Sequence, residues 1–402
     1  MTPSRNRDLD RLRAIAIIFV LFSHLSLVFP WTVGRPLGWF AYLNFWTGVD
    51  LFFVISGFIV TKVLIQDLDR AAASGRTRTA LKAFFVRRIF RIVPLAWLWV
   101  LIVLLISALF NESHSLPTPR EVVSEFYAIA LNVYNLGDAF EWGWLNPNGY
   151  KRFAPYWSLS IEEQFYISLP ILLLAIRSRG GRLLFLLGSL VFIALVLRPV
   201  LVAADSGTNF FMKFTLTRLD PLICGCLLYF LSTSRNYSAI EPTVLRDRVT
   251  AKVVFGILCL FVATVPMMIG FDLRPGRFAL VWPLLDAACA LLVWIASYDR
   301  DYLFVGSSVE RVFQWFGSRS YSIYLSHWPS IWFTQEVGYR LAGSLTTPPI
   351  GLHFWILYLG MFLVLALGLA EVLHRVVERP MNRRGHRLAR AIDGRNVDVP
   401  IT

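Results

Sequence analysis

Residues 157–176 read WSLSIEEQFYISLPILLLAI, a stretch in which two adjacent carboxylates open a long apolar segment. About 20 predominantly apolar residues are enough to cross the hydrocarbon core of a bilayer as an α-helix. An ionisable side chain at that depth costs roughly 3 kcal/mol or more, so it usually faces the interior of a helix bundle and serves a site there. We therefore expect Glu162 and Glu163 to lie inside a bundle of membrane helices.

The spacing of the polar side chains in this stretch indicates which of them act together. On a helix, Ser160, Glu163 and Tyr166 fall along one face. Glu162 points about 100° away from Glu163, so it is a weaker candidate. We predict that Ser160, Glu163 and Tyr166 form the polar wall of a site, because this arrangement suits acid–base chemistry better than packing.

The composition of the whole chain agrees with a membrane location. Of the 402 residues, 56% are hydrophobic and only 16% are charged, which leaves far too little polar surface for a soluble domain. Ten apolar runs approach the length of a membrane-spanning helix. The sequence predicts an all-α, polytopic membrane helix bundle with transmembrane helices at about 13–30, 43–65, 92–110, 158–176, 183–203, 211–231, 253–270, 278–297, 321–338 and 352–374.

The distribution of basic residues predicts the orientation of this bundle. Lys and Arg concentrate in the cytoplasmic loops of membrane proteins. With the N-terminus inside, 29 of the 39 basic residues fall on the cytoplasmic side. Both termini are therefore expected to be cytoplasmic, and the net charge of +13 follows from topology, so that nucleic acid need not be invoked as a partner.

The same pattern divides the chain into regions. Residues 1–380 are predicted to form one transmembrane domain, and 381–402 a basic cytoplasmic tail. The only sizeable external segment is a periplasmic loop at about 111–157. Cys224 and Cys226 have no second cluster beside them, so no metal site is predicted. Any chemistry is thus expected in the bundle and the loop.

A histidine in the first apolar run is the main candidate for a catalytic base. His24 is expected about five residues, or about 8 Å, below the outer face of the membrane. Glu163 and Asp50 are expected at a similar depth, so three helices present ionisable groups in one layer. A lone histidine on an apolar face is often a packing residue. Because two acids are expected at the same depth, a role of His24 as a base near neutral pH is given equal weight.

A second cluster of charged residues is expected at the cytoplasmic end of the third predicted helix. Arg88 and Arg91 share a face at the spacing i, i+3, and Arg87 lies beside them. The preference of Arg for the cytoplasmic ends of membrane helices is enough to explain Arg87. The paired guanidinium groups of Arg88 and Arg91 also suit phosphate recognition. Coenzyme A carries three phosphates and an extended thiol arm, so it could be held here with its thioester directed toward His24. The donor would then enter from the cytoplasm and the acceptor from outside.

Three further ionisable residues lie within apolar runs. His327 precedes Pro329, and structural and functional interpretations of it are equally weighted. Arg218 and Asp220 are two residues apart before Pro221, and we expect them to form an ion pair inside the bundle.

These motifs together resemble the bacterial acyltransferase-3 family, integral membrane enzymes that O-acylate extracytoplasmic glycans. One local difference is Asp10-Arg11, where the family more often has Asp-Gly. The resemblance implies that His24 acts on the acyl group or the acceptor hydroxyl, and that the arginine pair serves the acyl-CoA. The motifs occur in family order over nearly the whole chain: LDRLRAIA at 9–16 with His24, GVDLFFVISGF at 48–58, Arg88-x-x-Arg91, WSLSIEEQFY at 157–166 and SYSIYLSH at 320–327.

The leading hypothesis is an O-acyltransferase of the bacterial cytoplasmic (inner) membrane that uses acyl-CoA as co-substrate, with acetyl as the expected group and no permanently bound cofactor. The acceptor would be a hydroxyl of an envelope or exported polysaccharide, such as lipopolysaccharide, or a lipid-linked sugar. His24 would be the base or a transient acyl carrier, oriented by Asp50 or Glu163. Tyr166 or Ser160 would donate hydrogen bonds to the oxyanion.

Two alternatives remain open from the sequence. A secondary transporter would use the same charged layer as a proton relay at a midplane site, although no paired broken helices are evident. The same acyl transfer could also act on a small hydroxylated metabolite such as a macrolide. Many relatives in the family carry a fused periplasmic domain, and this sequence ends at Thr402 without one, so a second transfer step is expected to need a separate periplasmic transferase.

Overall fold

The regular structure of the protein is entirely helical within the described residues, which confirms the predicted all-α class. The computed structural model describes residues 6–29, 45–72, 75–143, 153–204, 206–265, 275–303, 306–343 and 352–394. Two π-helical segments, Ile193–Leu197 and His374–Glu378, join consecutive helices. The helices are α1 Arg7–Ser23, α2 Leu25–Val28, α3 Gly48–Ala72, α4 Thr77–Leu109, α5 Pro119–Ala130, α6 Tyr134–Ala139, α7 Tyr156–Ala175, α8 Arg179–Phe192, α9 Arg198–Ala203, α10 Thr208–Lys213, α11 Asp220–Ser232, α12 Arg248–Thr264, α13 Pro275–Ser297, α14 Ser307–Ala342, α15 Leu352–Leu373 and α16 Arg379–Ile392.

The apolar runs of the sequence coincide with helices over most of their described length. Within the described ranges, four helical stretches are both long and apolar enough to cross a membrane. They support a membrane protein, while the total of ten spans and the cytoplasmic placement of both termini remain predictions. The four stretches are Phe45–Ala71, Thr77–Leu109, Arg179–Ala203 and His353–Ile392.

One predicted span, 211–231, is divided in the structure. α10 ends at Lys213, a 3-10 turn covers Thr215–Arg218, and α11 begins at Asp220. Pro221 accounts for the new start, because a proline in the first turn of a helix lacks only an N–H that would have no partner there. The break places Arg218 and Asp220 in the interior of the bundle, where both are buried.

Close helix contacts hold the centre of the bundle together. A Cβ atom at Gly57 of α3 would lie 2.1 Å from the carbonyl oxygen of Leu222 in α11. At Gly317 of α14 it would lie 2.1 Å from the carbonyl oxygen of Asp10 in α1. Small residues permit such backbone approach between membrane helices. Glycine at these two positions therefore fixes α3 on α11 and α1 on α14.

The start of α1 is anchored by charged side chains. The Asn6 side chain accepts a hydrogen bond of 2.9 Å from the backbone N–H of Leu9 and caps the helix. Arg11, which is 1% exposed, forms ion pairs with Asp8 at 2.5 Å and with Glu310 of α14 at 2.8 Å. The Asp10-Arg11 difference from the family motif is therefore accommodated in regular helix, and Arg11 ties α1 to α14.

Two regions that lack apolar runs also fold as helices. The predicted external loop contains α5 and α6, while 144–152 lies outside the described residues. The predicted tail is described up to Gly394, and most of it forms α16, which packs along α4. A Cβ atom at Gly385 would lie 2.5 Å from the Cβ atom of Phe90, so glycine is what permits this packing.

Candidate active site

A narrow cavity of about 100 Å³ lies between α1, α3, α4, α7 and α14. We call it the tyrosine cavity, because three tyrosine side chains on α7 and α14 line it. Its other polar lining comes from three serines, a glutamate and three arginines. The polar residues that line it are Arg13, Ser56, Arg88, Arg91, Ser158, Glu162, Tyr166, Ser320, Tyr321 and Tyr324.

Glu162 and Tyr166 act as a unit in this cavity. The Tyr166 hydroxyl donates a hydrogen bond of 3.1 Å to a Glu162 carboxylate oxygen and lies 2.7 Å from the Ser56 hydroxyl. The guanidinium carbon of Arg88 lies 5.0 Å from the centre of the Tyr166 ring. Since the Tyr166 proton is directed at Glu162, the Ser56 hydroxyl donates to Tyr166. The cavity thus contains a connected group of one acid, two hydroxyls and one guanidinium.

Ser160 and Glu163 lie in a different place from Tyr166. They line a separate cavity of about 20 Å³ between α4 and α7, and the Glu163 Oε1 atom is buried without a hydrogen-bond partner among the described residues. The structure therefore does not bring Ser160 and Glu163 into one cavity with Tyr166, which pairs with Glu162. On a helix, residues four apart differ by about 40° and residues three apart by about 60°, so the closer partner of Tyr166 is Glu162.

His24 interrupts the first predicted span. α1 ends at Ser23 and α2 begins at Leu25, with His24 between them. The His24 Nδ1 atom lies 2.9 Å from the carbonyl oxygen of Val20. Because a carbonyl can only accept, Nδ1 carries the proton in this hydrogen bond, and Nε2 keeps its lone pair. Half-buried His24 is thus held in the tautomer that a base or nucleophile at Nε2 requires.

A second histidine lies beside His24. The ring centres of His24 and His327 are 5.2 Å apart, and the Trp328 ring lies 4.9 Å from His24. His327 is fully buried, and neither of its ring nitrogens has a hydrogen-bond partner among the described residues. The Tyr324 ring is 5.7 Å from that of His327. The weaker candidate of the sequence, His327, is therefore packed close to the main one.

Tyr324 stands between the tyrosine cavity and the two histidines. It lines the cavity, while the described lining includes neither His24 nor His327. Its hydroxyl lies 2.6 Å from the Ser158 hydroxyl and 3.1 Å from the carbonyl oxygen of Pro155. These hydrogen bonds join α14 to the start of α7 and fix the ring at the end of the cavity.

Asp50 belongs to a buried ionic network. Its Oδ1 atom lies 2.9 Å from Arg218 and accepts a hydrogen bond of 3.3 Å from the Trp282 indole. Asp220 pairs instead with Arg198 at 2.5 Å. The predicted Arg218–Asp220 pair is wrong, because side chains two residues apart do not face each other on a helical turn. That Asp50 orients His24 stays a prediction.

Arg87, Arg88 and Arg91, in the first half of α4, line a second, wider cavity of about 840 Å³. We call it the arginine cavity. It shares Ile59, Arg88 and Arg91 with the tyrosine cavity, so the two adjoin at the arginine pair. Arg87 also lines it, but this guanidinium forms an ion pair with Asp67. The other residues that line it come from α3, α14, the π-helical segment His374–Glu378 and α16.

The acyltransferase domain model of the acyltransferase-3 family matches residues 6–371, nearly the whole chain. The protein is a member of this family. Membership confirms the resemblance seen in the motifs and the expectation of an acyltransferase. It favours an enzyme over a secondary transporter.

Curated relatives of this family member include two bacterial proteins. Peptidoglycan O-acetyltransferase OatA of Listeria monocytogenes is 27% identical over 388 residues, which cover 94% of this chain and 56% of the relative. O-acetyltransferase OatA of Staphylococcus aureus is 26% identical over 400 residues, 96% of this chain and 58% of the relative. The chain thus spans just over half the length of these relatives. No solved structure matches it significantly.

Several residues that line the two cavities are not identified by the sequence as site residues. Ser56 and Tyr324 occur inside quoted motifs, but a motif does not show which side chains point into a cavity. Arg13 lies on α1, 11 residues before His24, and its charge is explained from the sequence by topology alone. Arg379 and Arg383 of α16 lie in a strongly polar segment without an apolar run, so the sequence does not indicate that this segment is a packed helix.

Proposed function

We propose that this protein is a multi-pass enzyme of the bacterial inner membrane that transfers an acetyl group from cytoplasmic acetyl-CoA to a hydroxyl of an envelope glycan. The observation that carries the proposal is the meeting of the two cavities at Arg88 and Arg91. The arginine cavity is wide and cationic, which suits a phosphorylated donor. The tyrosine cavity is narrow, with apolar and hydroxyl-bearing side chains, and suits a thioester arm.

The donor binds with its phosphates at the arginine pair. Guanidinium groups recognise phosphate through paired hydrogen bonds that lysine cannot reproduce. From Arg88 and Arg91 the pantetheine arm runs along Phe52 and Tyr166 toward Tyr324. The thioester then lies at the end of the cavity nearest the two histidines.

His24 supplies the chemistry at the opposite end. Its Nε2 atom removes the proton from the acceptor hydroxyl, and the resulting oxygen attacks the thioester carbonyl. The tetrahedral intermediate collapses to the ester as the carbon–sulfur bond breaks, and the departing thiolate takes the proton back from the imidazolium. If His24 instead carries the acyl group transiently, the same tautomer is required. The bond between Nε2 and the acyl carbon then forms first, and the bond between the acceptor oxygen and that carbon replaces it.

Peptidoglycan is the acceptor that the relatives favour. Both curated relatives are named as O-acetyltransferases, and the Listeria protein's name specifies peptidoglycan. A carbohydrate hydroxyl would approach His24 from the outer side, either as the glycan itself or through a separate periplasmic transferase. These names favour a glycan over a macrolide as the acceptor.

Purified full-length protein tests the proposal. Incubation with labelled acetyl-CoA and soluble peptidoglycan fragments should yield a labelled ester that mild base releases as acetate. A macrolide acceptor serves as the comparison. Ester formed on the macrolide but not on the glycan fragments would overturn the acceptor assignment, and no ester on any hydroxylated acceptor would overturn the proposed activity.

A further inference from the structure

The arginine cavity contains more positive charge than the Arg88–Arg91 pair supplies. Seven arginines line it. Three of them already have carboxylate partners, since Arg319 and Arg375 share Glu371 and Arg87 pairs with Asp67. The four that form no ion pair with any described residue are Arg88, Arg91, Arg379 and Arg383.

These four guanidinium groups fall into two sets at different positions. Arg88 and Arg91, on α4, line both cavities. Arg379 and Arg383, on α16, line the arginine cavity alone. The latter are four residues apart and so lie on one face of their helix. The α16 set is thus at the end of the cavity system farther from the tyrosines.

Packing on α4 and hydrogen bonds just before its first turn hold α16 in this position. At Gly385 the helix backbone approaches Phe90 of α4 so closely that no larger residue would fit without displacement. Just before α16, Glu378 accepts a hydrogen bond of 2.5 Å from Ser322 and lies 3.0 Å from the His374 Nδ1 atom. Arg379 and Arg383 are therefore presented to the cavity by packing on both sides.

The order of these groups matches the order of groups along an acyl-CoA molecule. The thioester and pantetheine arm come first, then the pyrophosphate, and last the ribose with its 3′-phosphate. Together the phosphates carry roughly four negative charges near neutral pH, since the second pKa of a phosphate monoester is about 6. With the arm in the tyrosine cavity and the pyrophosphate at Arg88 and Arg91, the 3′-phosphate reaches α16.

We propose that Arg379 and Arg383 of α16 form a binding subsite for the 3′-phosphate of the acyl-CoA donor. This subsite rests on the proposed function, because it assumes a coenzyme A thioester as donor. It makes the enzyme selective for coenzyme A thioesters over acyl donors that end at the pantetheine phosphate or lack the 3′-phosphate.

The test is a binding measurement on purified full-length protein. Its probes are a non-transferable thioether analogue of acetyl-CoA and the 3′-dephospho form of that analogue. We expect wild-type protein to prefer the 3′-phosphorylated probe by about tenfold or more, as for other charge-assisted phosphate contacts. In an Arg379→Gln/Arg383→Gln variant, affinity for that probe should fall by about the same factor, while affinity for the dephospho form stays unchanged.

Arg384→Gln is the matched control. Arg384 is an exposed arginine on the same helix and is not part of the described lining, so its replacement should leave the preference intact. A double variant that keeps the wild-type preference, or that loses both probes equally, overturns the subsite and leaves the proposed function standing. Wild-type protein that binds neither probe overturns the proposed function itself.

Discussion

The arginine cavity and the tyrosine cavity meet at Arg88 and Arg91, yet they differ in nearly every physical respect. The first has a volume of about 840 Å³, and charged side chains from four separate helical segments surround it. The second has a volume of about 100 Å³ and is lined mainly by tyrosines, serines and apolar side chains, with Glu162 and three arginines among them. Charge in the first suits binding, whereas fixed geometry in the second suits chemistry. Substitutions in the two regions should therefore affect different kinetic parameters.

His24→Gln should have the largest effect and should lower kcat alone. Glutamine keeps the size and hydrogen bonding of the side chain but cannot accept a proton near neutral pH. Loss of general base catalysis costs about 10² to 10⁴ in rate. Acetyl-CoA affinity should be unchanged, because the phosphates bind in the arginine cavity. Both quantities can be measured on the purified variant.

A His24→Gln protein with more than about a tenth of wild-type activity would lie well above that expected loss. His24 would then be a packing residue. His327 and Glu163 would become the candidates for the base.

Arg91→Ala should have the next largest effect and the opposite kinetic signature. Arg91 lines both cavities, and its loss should raise the KM for acetyl-CoA by about 10- to 100-fold through missing charge-assisted hydrogen bonds. Arg91→Lys should retain part of the affinity, since it keeps the charge but loses the planar fork. Steady-state kinetics with varied acetyl-CoA provide the comparison.

Equal KM values for the wild-type, Ala and Lys proteins, with normal membrane insertion, would reduce Arg91 to a topological charge. The Ala and Lys substitutions at Arg88 should change the KM for acetyl-CoA in the same way, with one difference. Arg88 also stacks on Tyr166, so its replacement should lower kcat as well.

Tyr324→Phe should have a moderate effect on kcat. The change removes the hydroxyl contacts to Ser158 and Pro155 that fix the ring beside His327. Neutral hydrogen bonds contribute about 0.5–1.5 kcal/mol each, so a loss of about 3- to 10-fold is expected. Acetyl-CoA binding should not change. A variant with full kcat but weakened donor binding would place Tyr324 with the binding region instead.

Arg87→Gln should have the smallest effect, although Arg87 lines the same cavity as Arg91. Its guanidinium is already paired with Asp67, with only 15% and 5% of the two side chains exposed, so it is not free to bind a donor phosphate. The KM for acetyl-CoA should therefore rise by less than about threefold. An increase as large as that of Arg91→Ala would show that the Asp67 pair opens when the donor binds.

The sequence predicts the helices of this protein better than the side-chain contacts between them. Apolar runs of membrane length determined the helices, because hydrophobicity and length are local properties. The partner of Arg218 is Asp50 on another helix, and no local pattern could identify it. Likewise, Tyr166 shares a helix with both Glu162 and Glu163, and only the neighbouring helices decide which of them it joins.

The predicted tail shows a second limit of sequence reasoning. Residues 379–392 carry five arginines and few large apolar residues, so their composition indicates a solvated segment. In the structure this segment packs on α4 through Gly385, whose small size leaves no hydrophobic signal. Packing through small residues is set by shape, and shape is available only from the assembled bundle.

The most direct measurement concerns the sides from which the two substrates approach. Protein of one orientation is reconstituted in sealed vesicles, with labelled acetyl-CoA on the side of α16 and a membrane-impermeant glycan acceptor on the other side. Labelled ester should form on the opposite side from the donor, and moving the donor across should abolish it. The account predicts that the donor reaches the arginine cavity from one face of the membrane and that the acceptor reaches the two histidines from the other. Ester that forms only when donor and acceptor are on the same side would contradict it.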